Sequence, residues 1–311
     1  MQIHMWPRER AGELFECYNR QVRDVPYCYP QSPETFATGV EEDLAELFGF
    51  HRPEVLTSEE LIVAEEGGNI VGFLDHGLHE KSEGDETKRV CVLRFMAYEP
   101  GRRAVGQALL DRAEAEYAKR GATEVAAFPK GYIYHFCSPE GGLSSLAGNV
   151  VGLLGLNGYT VSGRTVNLVR ESLSIQEPDL PDPSARISVN GERRRSRLPS
   201  VMVNANVDKD GEETSVGECL AYPWEYVQST QEAEDQIYIN WMGIGREFQG
   251  NGWGRYLLWK TLSSADEVDY RQCVLGTAET YSRALAFYTN YGFRVAHTSY
   301  SYTKDLGGDD Q

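Results

Sequence analysis

The sequence lacks the cysteine patterns of metal sites and disulfide scaffolds. Its six cysteines are scattered over 311 residues, and no two of them form a C-x-x-C pair. Zinc sites and disulfide frameworks need closely spaced or matched cysteines. We therefore expect neither a bound metal nor disulfides, and a reduced compartment, the cytoplasm, is the default location.

Long apolar runs are also missing. A transmembrane helix needs about 18 or more apolar residues, whereas the longest candidate runs only from Val150 to Leu156. The first ten residues carry charges where a signal peptide needs an apolar centre. We therefore expect a soluble protein with no membrane partner.

Basic charge is scarce relative to acidic charge. The chain has 47 acidic and 30 basic residues, a net charge of −17, and such a surface repels nucleic acids and anionic membranes. An amine-bearing partner fits this charge better, but the alternative that the charge only keeps the protein soluble is favoured over a steering role. With 41% hydrophobic residues, the chain is long enough for two ordinary domains.

One glycine-rich segment carries a chemical signal. Gln249 to Gly254 lies between an apolar run, Ile237 to Ile244, and a helix-like run, Arg255 to Leu262. A strand, a glycine turn and a helix start leave unpaired N–H groups and a positive dipole end at one spot. The segment suits a phosphate, and the alternative is a purely structural turn.

The motifs around this loop resemble those of the GNAT superfamily of acetyl-coenzyme A-dependent N-acetyltransferases. The loop reads Q-x-x-G-x-G, and it is followed by Ala284-Leu285-Ala286-Phe287-Tyr288 and Tyr291-Gly292-Phe293. The family has a loop Q/R-x-x-G-x-G/A and a late helix A-x-x-F-Y-x-x-x-G-F. The resemblance covers residues 236 to 304 and implies acetyl-CoA as co-substrate, with no metal.

The same pattern occurs 148 residues earlier in the chain. The apolar run Val90 to Ala97 is followed by a loop, by an amphipathic helix through Arg120 and by another strand. Leu109-Leu110 corresponds to Leu257-Leu258, and Gly106 corresponds to Gly254. Such an internal repeat indicates a duplicated domain.

The first copy departs from the family pattern. Gly101 replaces Gln249, Ala104 replaces Gly252, and Leu154 corresponds to Tyr288. Arg102 and Arg103 could still hold a pyrophosphate, which leaves a first coenzyme site open. We expect a degenerate copy that serves as a scaffold.

The repeat and a proline-rich segment, Glu177 to Pro183, define three regions. We expect an N-terminal GNAT-like domain over residues 1–174, a linker with a basic segment over 175–197, and a catalytic GNAT domain over 198–311. Each domain should be α/β (α+β), with a mixed, mostly antiparallel twisted sheet flanked by helices. Mycothiol synthases resemble this tandem arrangement, an analogy that does not set the substrate.

Periodicity predicts several elements outside the motifs. Helical spacing of apolar residues predicts helices over Arg8–Arg23 and Glu34–Phe48. Strand-like runs around Glu66-Gly67-Gly68-Asn69 and Asp208-Lys209-Asp210-Gly211 predict two hairpins.

The resemblance assigns roles to residues of the second copy. It implies that the amides of the loop hold the pyrophosphate, that Ile244 and Gly245 lie at the thioester, and that Tyr288 protonates the departing thiolate. Gly243 and Gly245 flank Ile244 at the end of the preceding strand, and they would suit a local bulge there. The loop residues are Gln249, Gly250, Asn251, Gly252, Trp253 and Gly254.

The acceptor side is less defined. Strict alternation along the strand predicts that Tyr238, Asn240 and Met242 share the face that meets the acceptor. None of the three is a carboxylate or histidine, so the general base is Glu218 on the neighbouring strand or an ordered water.

The sequence thus predicts acetyl transfer from acetyl-CoA to a primary amine of a small molecule. A non-catalytic acyl-CoA sensor is the alternative, and an aminoacyl-tRNA-dependent transferase is disfavoured because the coenzyme loop is retained. The sequence leaves the oligomeric state open, with a homodimer as one alternative.

Overall fold

The computed structural model describes residues 1–41, 56–83, 86–134, 136–137 and 140–306. The chain divides into two compact units. The first comprises Met1–Val166 together with the chain from His297 onwards, and the second is Asn167–Ala296. Each unit contains a mixed sheet flanked by helices, which confirms the predicted fold class.

The first unit is built on a sheet of order β1-β2-β3-β4-β5-β13, with β6 beside β13. Only the β4–β5 pair is parallel among its registered pairs. The strands are β1 (Gln2–Trp6), β2 (Thr57–Glu66), β3 (Asn69–Glu83), β4 (Glu86–Tyr98), β5 (Glu124–Ala127), β6 (Leu143–Ser144) and β13 (Arg294–Asp305). The helices are α1 (Phe15–Val22), α2 (Pro33–Glu41), α3 (Arg103–Lys119) and α4 (Gly148–Leu156).

The second unit is built on a sheet of order β7-β12-β11-β10-β9-β8. The strands are β7 (Thr160–Arg170), which enters this unit only at Asn167, β8 (Arg186–Asn190), β9 (Val201–Lys209), β10 (Glu212–Pro223), β11 (Gln236–Ile244) and β12 (Gln272–Ala278), and the helices are α5 (Trp253–Glu267) and α6 (Ser282–Asn290). The β11–β12 pair is parallel, and α5 connects these two strands.

Helix α5 covers one face of the second sheet. Its residues Leu257, Leu258, Thr261, Leu262 and Ala265 are buried at helical spacing, and it packs against β9, β10 and β11. Burial of this stripe fixes the helix axis on the sheet. The N-terminus of α5 is therefore held next to the end of β11.

Most predicted elements are present with altered bounds. Both hairpins are confirmed. The segment predicted as one helix over Arg8–Arg23 begins as a 3-10 helix, Arg8–Leu14, and becomes α1 only at Phe15. Helix α2 covers the start of the predicted helix Glu34–Phe48, whose remainder, from residue 42, lies outside the described residues.

The domain bounds differ from those expected over 1–174 and 198–311. The last strand of each copy crosses into the other unit: β13 enters the first unit at His297 and pairs with β5 through Tyr302 and Ala127, and β7 enters the second unit at Asn167 and lies next to β12. Strand β8 also lies within the predicted linker and pairs with β9. Strand pairing is non-local, so a boundary placed by composition cannot detect this exchange.

In the described ranges, none of the helices has the length and apolar character needed to cross a bilayer.

Candidate active site

The loop after β11 adopts a conformation that requires glycine. A single 3-10 turn, Arg246–Phe248, leads into the loop, and Gly250 and Gly252 have φ of 82° and 88°. A β-carbon at Gly250 would have no neighbouring atom within 4 Å. The glycine is therefore required by the positive φ angle and not by crowding.

The start of α5 presents free backbone donors. The first bond of the helix runs from the Tyr256 N–H to the Gly252 carbonyl at 3.1 Å. The N–H groups of Trp253, Gly254 and Arg255 therefore precede any acceptor within the helix. No side chain of the described chain caps this end, so its dipole and donors are available to an anion.

The other loop side chains do not crowd this end. Asn251 is exposed, whereas the Trp253 ring is buried and packs 6.3 Å from the Tyr256 ring. Trp253 can thus contribute only its main chain to a ligand, while its side chain anchors the helix start in the core.

The Gln249 side chain stabilises the loop. Its Nε2 donates to the Ile244 carbonyl at 3.0 Å, which joins the loop to the last residue of β11. Its contact with a coenzyme stays a prediction.

Strands β11 and β12 separate next to this loop. Their parallel register runs from Gln236 to Ile239 and ends there, although β11 continues to Ile244. On the other edge, β11 stays paired with β10 as far as Ile244 opposite Gly217. The end of β11 therefore has one edge that no longer pairs with β12.

Two amides of β11 point toward that edge. The Gly245 N–H donates to the Val216 carbonyl at 2.8 Å, and alternate residues of an antiparallel strand bond to the same neighbour. The N–H groups of Met242 and Ile244 therefore point away from β10, into the gap beside β12. This is where a carbonyl could accept a hydrogen bond, as the sequence predicts for Ile244.

A β-bulge changes the faces of β11. Ile239 lies opposite Ala221 and Trp241 lies opposite Leu220, so Asn240 has no cross-strand partner. The bulge thus lies at Asn240 and not beside Gly243 and Gly245, where the glycines suggested one. Because the extra residue shifts the alternation, Trp241 lies on the face of Tyr238.

The expected face of Tyr238, Asn240 and Met242 is therefore wrong beyond the bulge. Met242 lies opposite the buried Cys219, on the face covered by α5. Tyr238 is buried, with its ring 5.4 Å from that of Trp224. Only Asn240 keeps a buried polar atom, Oδ1, without a hydrogen-bond partner in the described chain. The role of all three residues in acceptor binding stays a prediction.

Tyr288 lies on the α5 side of the sheet. Its side chain is 8% exposed and packs against the rings of Phe287 and Phe293, at 5.2 and 5.5 Å. Burial raises the pKa of the phenol above its ordinary value, with smaller contributions from Cys219 and Cys273. The described residues provide no acceptor for its hydroxyl, which is not sealed from solvent.

Glu218 lies on the opposite face from Tyr288. It is opposite Asn204 on β9 and opposite Gly243 on β11. Within the described ranges no cationic side chain pairs with its carboxylate. Trp241 shares this face with its side chain 55% exposed. Sequence reasoning missed Trp241 because strict alternation placed it on the other side.

The corresponding region of the first unit is closed. The Tyr98 hydroxyl, at the end of β4, donates to the Asn149 carbonyl on α4 at 2.6 Å, and the Asn149 side chain donates back to the Tyr98 carbonyl at 3.1 Å. A β-carbon at Gly106, which corresponds to Gly254, would lie 2.5 Å from the Tyr98 ring. The Tyr98 ring therefore occupies the space beside the start of α3.

One of the two arginines named for the first copy, Arg102, is also engaged. Arg102 forms ion pairs with Glu66 and with Glu99, the latter at 3.3 Å. Two carboxylates already neutralise this side chain, so it is less available to a pyrophosphate. No cluster of three or more metal-ligating side chains occurs in the described part of the chain.

Residues 167–293 match the Acetyltransferase (GNAT) family. This segment is similar in sequence to that family. The match contains β11, the glycine loop, α5 and α6, and its start at residue 167 coincides with the start of the second compact unit. No curated protein sequence matches the chain.

The tandem GNAT fold extends over the whole chain. A tandem GNAT protein from the clavulanic acid biosynthesis pathway superposes with a TM-score of 0.65 at 16% identity, over 99% of both chains. A GCN5-related N-acetyltransferase from Sphaerobacter thermophilus superposes with a TM-score of 0.57 at 14% identity, over 98% of this chain and 95% of that one. These similarities confirm the predicted tandem GNAT arrangement.

A further structure matches through one part of a larger protein. The glucosamine N-acetyltransferase region of a fungal multi-domain β-N-acetylglucosaminidase superposes with a TM-score of 0.65 at 11% identity. The match covers 97% of this chain and 38% of that one. At this identity the similarity concerns the fold alone.

Proposed function

We propose that the second unit transfers an acetyl group from acetyl-CoA to a primary amine of a small molecule. The observation that carries the proposal is the separation of β11 from β12 beside an uncapped helix start with two positive-φ glycines. Together these features offer a slot for an acyl chain and an anion cradle at its end.

The residues present fit the acyl donor. The amides of Gly252 to Arg255 would hold its pyrophosphate, and those of Met242 and Ile244 face the gap where its thioester would lie. When bound, the donor supplies an activated acetyl group and a thiol leaving group. Preorganised N–H donors of this kind stabilise developing negative charge on a carbonyl oxygen.

Tyr288 is the proposed proton donor. Because burial raises its pKa, the hydroxyl keeps its proton throughout the neutral range. An unperturbed phenol is close in acidity to a thiol, and the raised pKa makes Tyr288 a weaker acid, so we expect it to donate a hydrogen bond to the departing thiolate and to give up its proton only as negative charge develops there. Tyr288 lies on the α5 side of the sheet, where the loop also lies, so its proton would serve the leaving group and not the amine.

Glu218 is the proposed base on the opposite face. Its carboxylate has no cationic partner in the described chain, so it is available to attract an ammonium group and to accept its proton through a water molecule. The two proton-handling groups thus lie on opposite sides of β10 and β11. This arrangement lets donor and acceptor approach the gap from different faces.

The test combines binding and turnover. Calorimetry with acetyl-CoA should give one site per chain, because Tyr98 and Asn149 close the first copy. Release of CoA with a panel of small amines should then depend on Tyr288. Binding without amine-dependent release would instead favour the non-catalytic acyl-CoA sensor, and the lack of any binding would contradict both.

A further inference from the structure

An aromatic side chain lies exposed at the acceptor end of β11. Trp241 is 55% exposed, one residue beyond the bulge at Asn240 and three residues before the end of the strand. Tryptophan has a large apolar surface that is usually buried or used for contact. Its exposure beside the gap between β11 and β12 indicates a surface that contacts a ligand.

The indole has a defined position. A β-carbon placed on Gly243 would lie 3.1 Å from the Trp241 atoms Cζ2 and Nε1. The ring therefore lies over Gly243, and a methyl group at this position would require the indole to shift by a few tenths of an ångström. One face of the indole is thus supported by the backbone of β11 next to the amides of Met242 and Ile244.

Polar groups continue this surface across the sheet. Glu218 lies directly opposite Gly243, and Asn204 lies directly opposite Glu218. All three positions share the face of Trp241, because residues directly opposite in an antiparallel pair point to the same side. In the described chain neither the Glu218 carboxylate nor the Asn204 amide is engaged by a protein partner.

We propose that Trp241, Glu218 and Asn204 form an acceptor subsite for a primary amine carried on a hydroxylated ring, as in an amino sugar. This inference rests on the proposed function and specifies its substrate class. The indole stacks on the apolar face of the ring, the carboxylate binds the ammonium group and the carboxamide binds ring hydroxyls.

The composition of the subsite favours a ring over a linear polyamine. A polyamine carries several charges along its length. The three positions that lie opposite one another, Gly243, Glu218 and Asn204, offer a single carboxylate between a glycine and an amide. A single ammonium group matches a single carboxylate. The amide, which both donates and accepts hydrogen bonds, matches hydroxyl groups better than a second ammonium group.

The probes are glucosamine, cyclohexylamine, n-hexylamine and spermidine, with CoA release as the readout. We expect glucosamine to have the highest kcat/KM. Trp241→Ala should raise the KM for glucosamine by about five- to tenfold and leave the KM for n-hexylamine unchanged. Trp241→Phe should restore most of the loss, and acetyl-CoA affinity should be unchanged in both variants.

Two further variants test the other parts of the subsite. Asn204→Leu should raise the KM for glucosamine but not for cyclohexylamine, which lacks hydroxyls. Gly243→Ala should raise the KM for glucosamine less than Trp241→Ala does, because its methyl group shifts the indole by only a few tenths of an ångström. A preference for spermidine, or an unchanged glucosamine KM in Trp241→Ala, would overturn the inference and leave the proposed function standing.

Direct binding keeps the two proposals separate. Saturation-transfer NMR on the CoA-saturated protein should show glucosamine binding that weakens in Trp241→Ala. The absence of that difference overturns the subsite even when no amine is acetylated. Failure of the chain to bind acetyl-CoA would overturn the proposed function. The same NMR comparison of the unmodified chain and Trp241→Ala, repeated without coenzyme, would then still test the subsite.

Discussion

The Gln249 side chain donates a hydrogen bond to the Ile244 carbonyl at 3.0 Å. This bond closes the four-residue segment between the end of β11 and the glycine loop. The Ile244 carbonyl points to the same edge as its N–H, away from β10, so the bond fixes the strand end at the gap beside β12. The loop motif therefore positions the strand as well as the helix start.

Replacement of Gly250 by alanine should weaken acetyl-CoA binding. Gly250 has φ of 82°, and a β-carbon there would project into open space within the anion cradle. We expect Kd to rise by about tenfold, together with a loss of about 1 kcal/mol of stability from the positive φ angle. Calorimetry and denaturant unfolding measure the two effects.

Gly211→Ala is the matched control for this change. Gly211 has φ of 83° and equally open surroundings, but it lies in the turn between β9 and β10. It should lose similar stability while keeping full affinity for acetyl-CoA. Equal affinity in the two variants would contradict an anion cradle at Gly250.

Replacement of Tyr288 by phenylalanine should lower kcat by about 100-fold without changing acetyl-CoA affinity. The described residues accept no hydrogen bond from this hydroxyl, so its removal should leave stability nearly unchanged. Tyr281→Phe, just before α6 and 66% exposed, is the control and should keep its activity. A fully active Tyr288→Phe variant would show that the thiolate leaves without this proton.

Local motifs were enough to predict the repeat, the glycine loop, and the strand and helix that flank the loop. They failed at Asn240, because a single extra residue in β11 reverses the faces of Trp241 and Met242. Nothing in the composition of that strand indicates which residue bulges. The available hint was Gly243, which leaves the room that the Trp241 ring occupies.

Domain bounds were less accessible to sequence reasoning. The proline-rich segment suggested a simple division, yet Ser299 and Tyr302 of the last strand pair with Ser144 and Ala127 of the first copy. Both copies end in a strand of similar length, β7 with 11 residues and β13 with 12. The choice between them depends on long-range pairing, which local patterns do not contain.

Replacement of Tyr302 by alanine should therefore destabilise the first unit. Tyr302 is 3% exposed and belongs to the same apolar core as Phe128 and Leu109. We expect a cost of about 3 kcal/mol and faster hydrogen exchange in β5, with β12 unaffected. Val295→Ala on the same strand, before the boundary and 49% exposed, should change neither. Faster exchange in β12 alone would contradict the strand exchange.

Stability should fall as the pH drops from about 6.5 toward 4. Burial lowers the pKa of His76 and of His297 to about 4, whereas an unfolded histidine titrates near 6.5. Between these values the unfolded chain binds protons that the folded chain does not, which costs up to about 1.4 kcal/mol per pH unit for each histidine. Above about pH 6.5 this contribution to stability is fully present.

Denaturant unfolding at several pH values measures this slope. His76→Gln should remove the part of this slope that one histidine causes. The double variant with His297→Gln should remove the contributions of both histidines. An unchanged slope in the double variant would mean that other groups cause the acid sensitivity.

The most direct measurement is a crystal structure of the full chain with acetyl-CoA bound. The account predicts one coenzyme per chain, with its diphosphate at the amides of Gly252 to Arg255 and its thioester between β11 and β12. The first unit should stay closed by Tyr98 and Asn149. A coenzyme bound only beside Arg102 in the first unit, or no bound coenzyme at saturating concentration, would contradict the account.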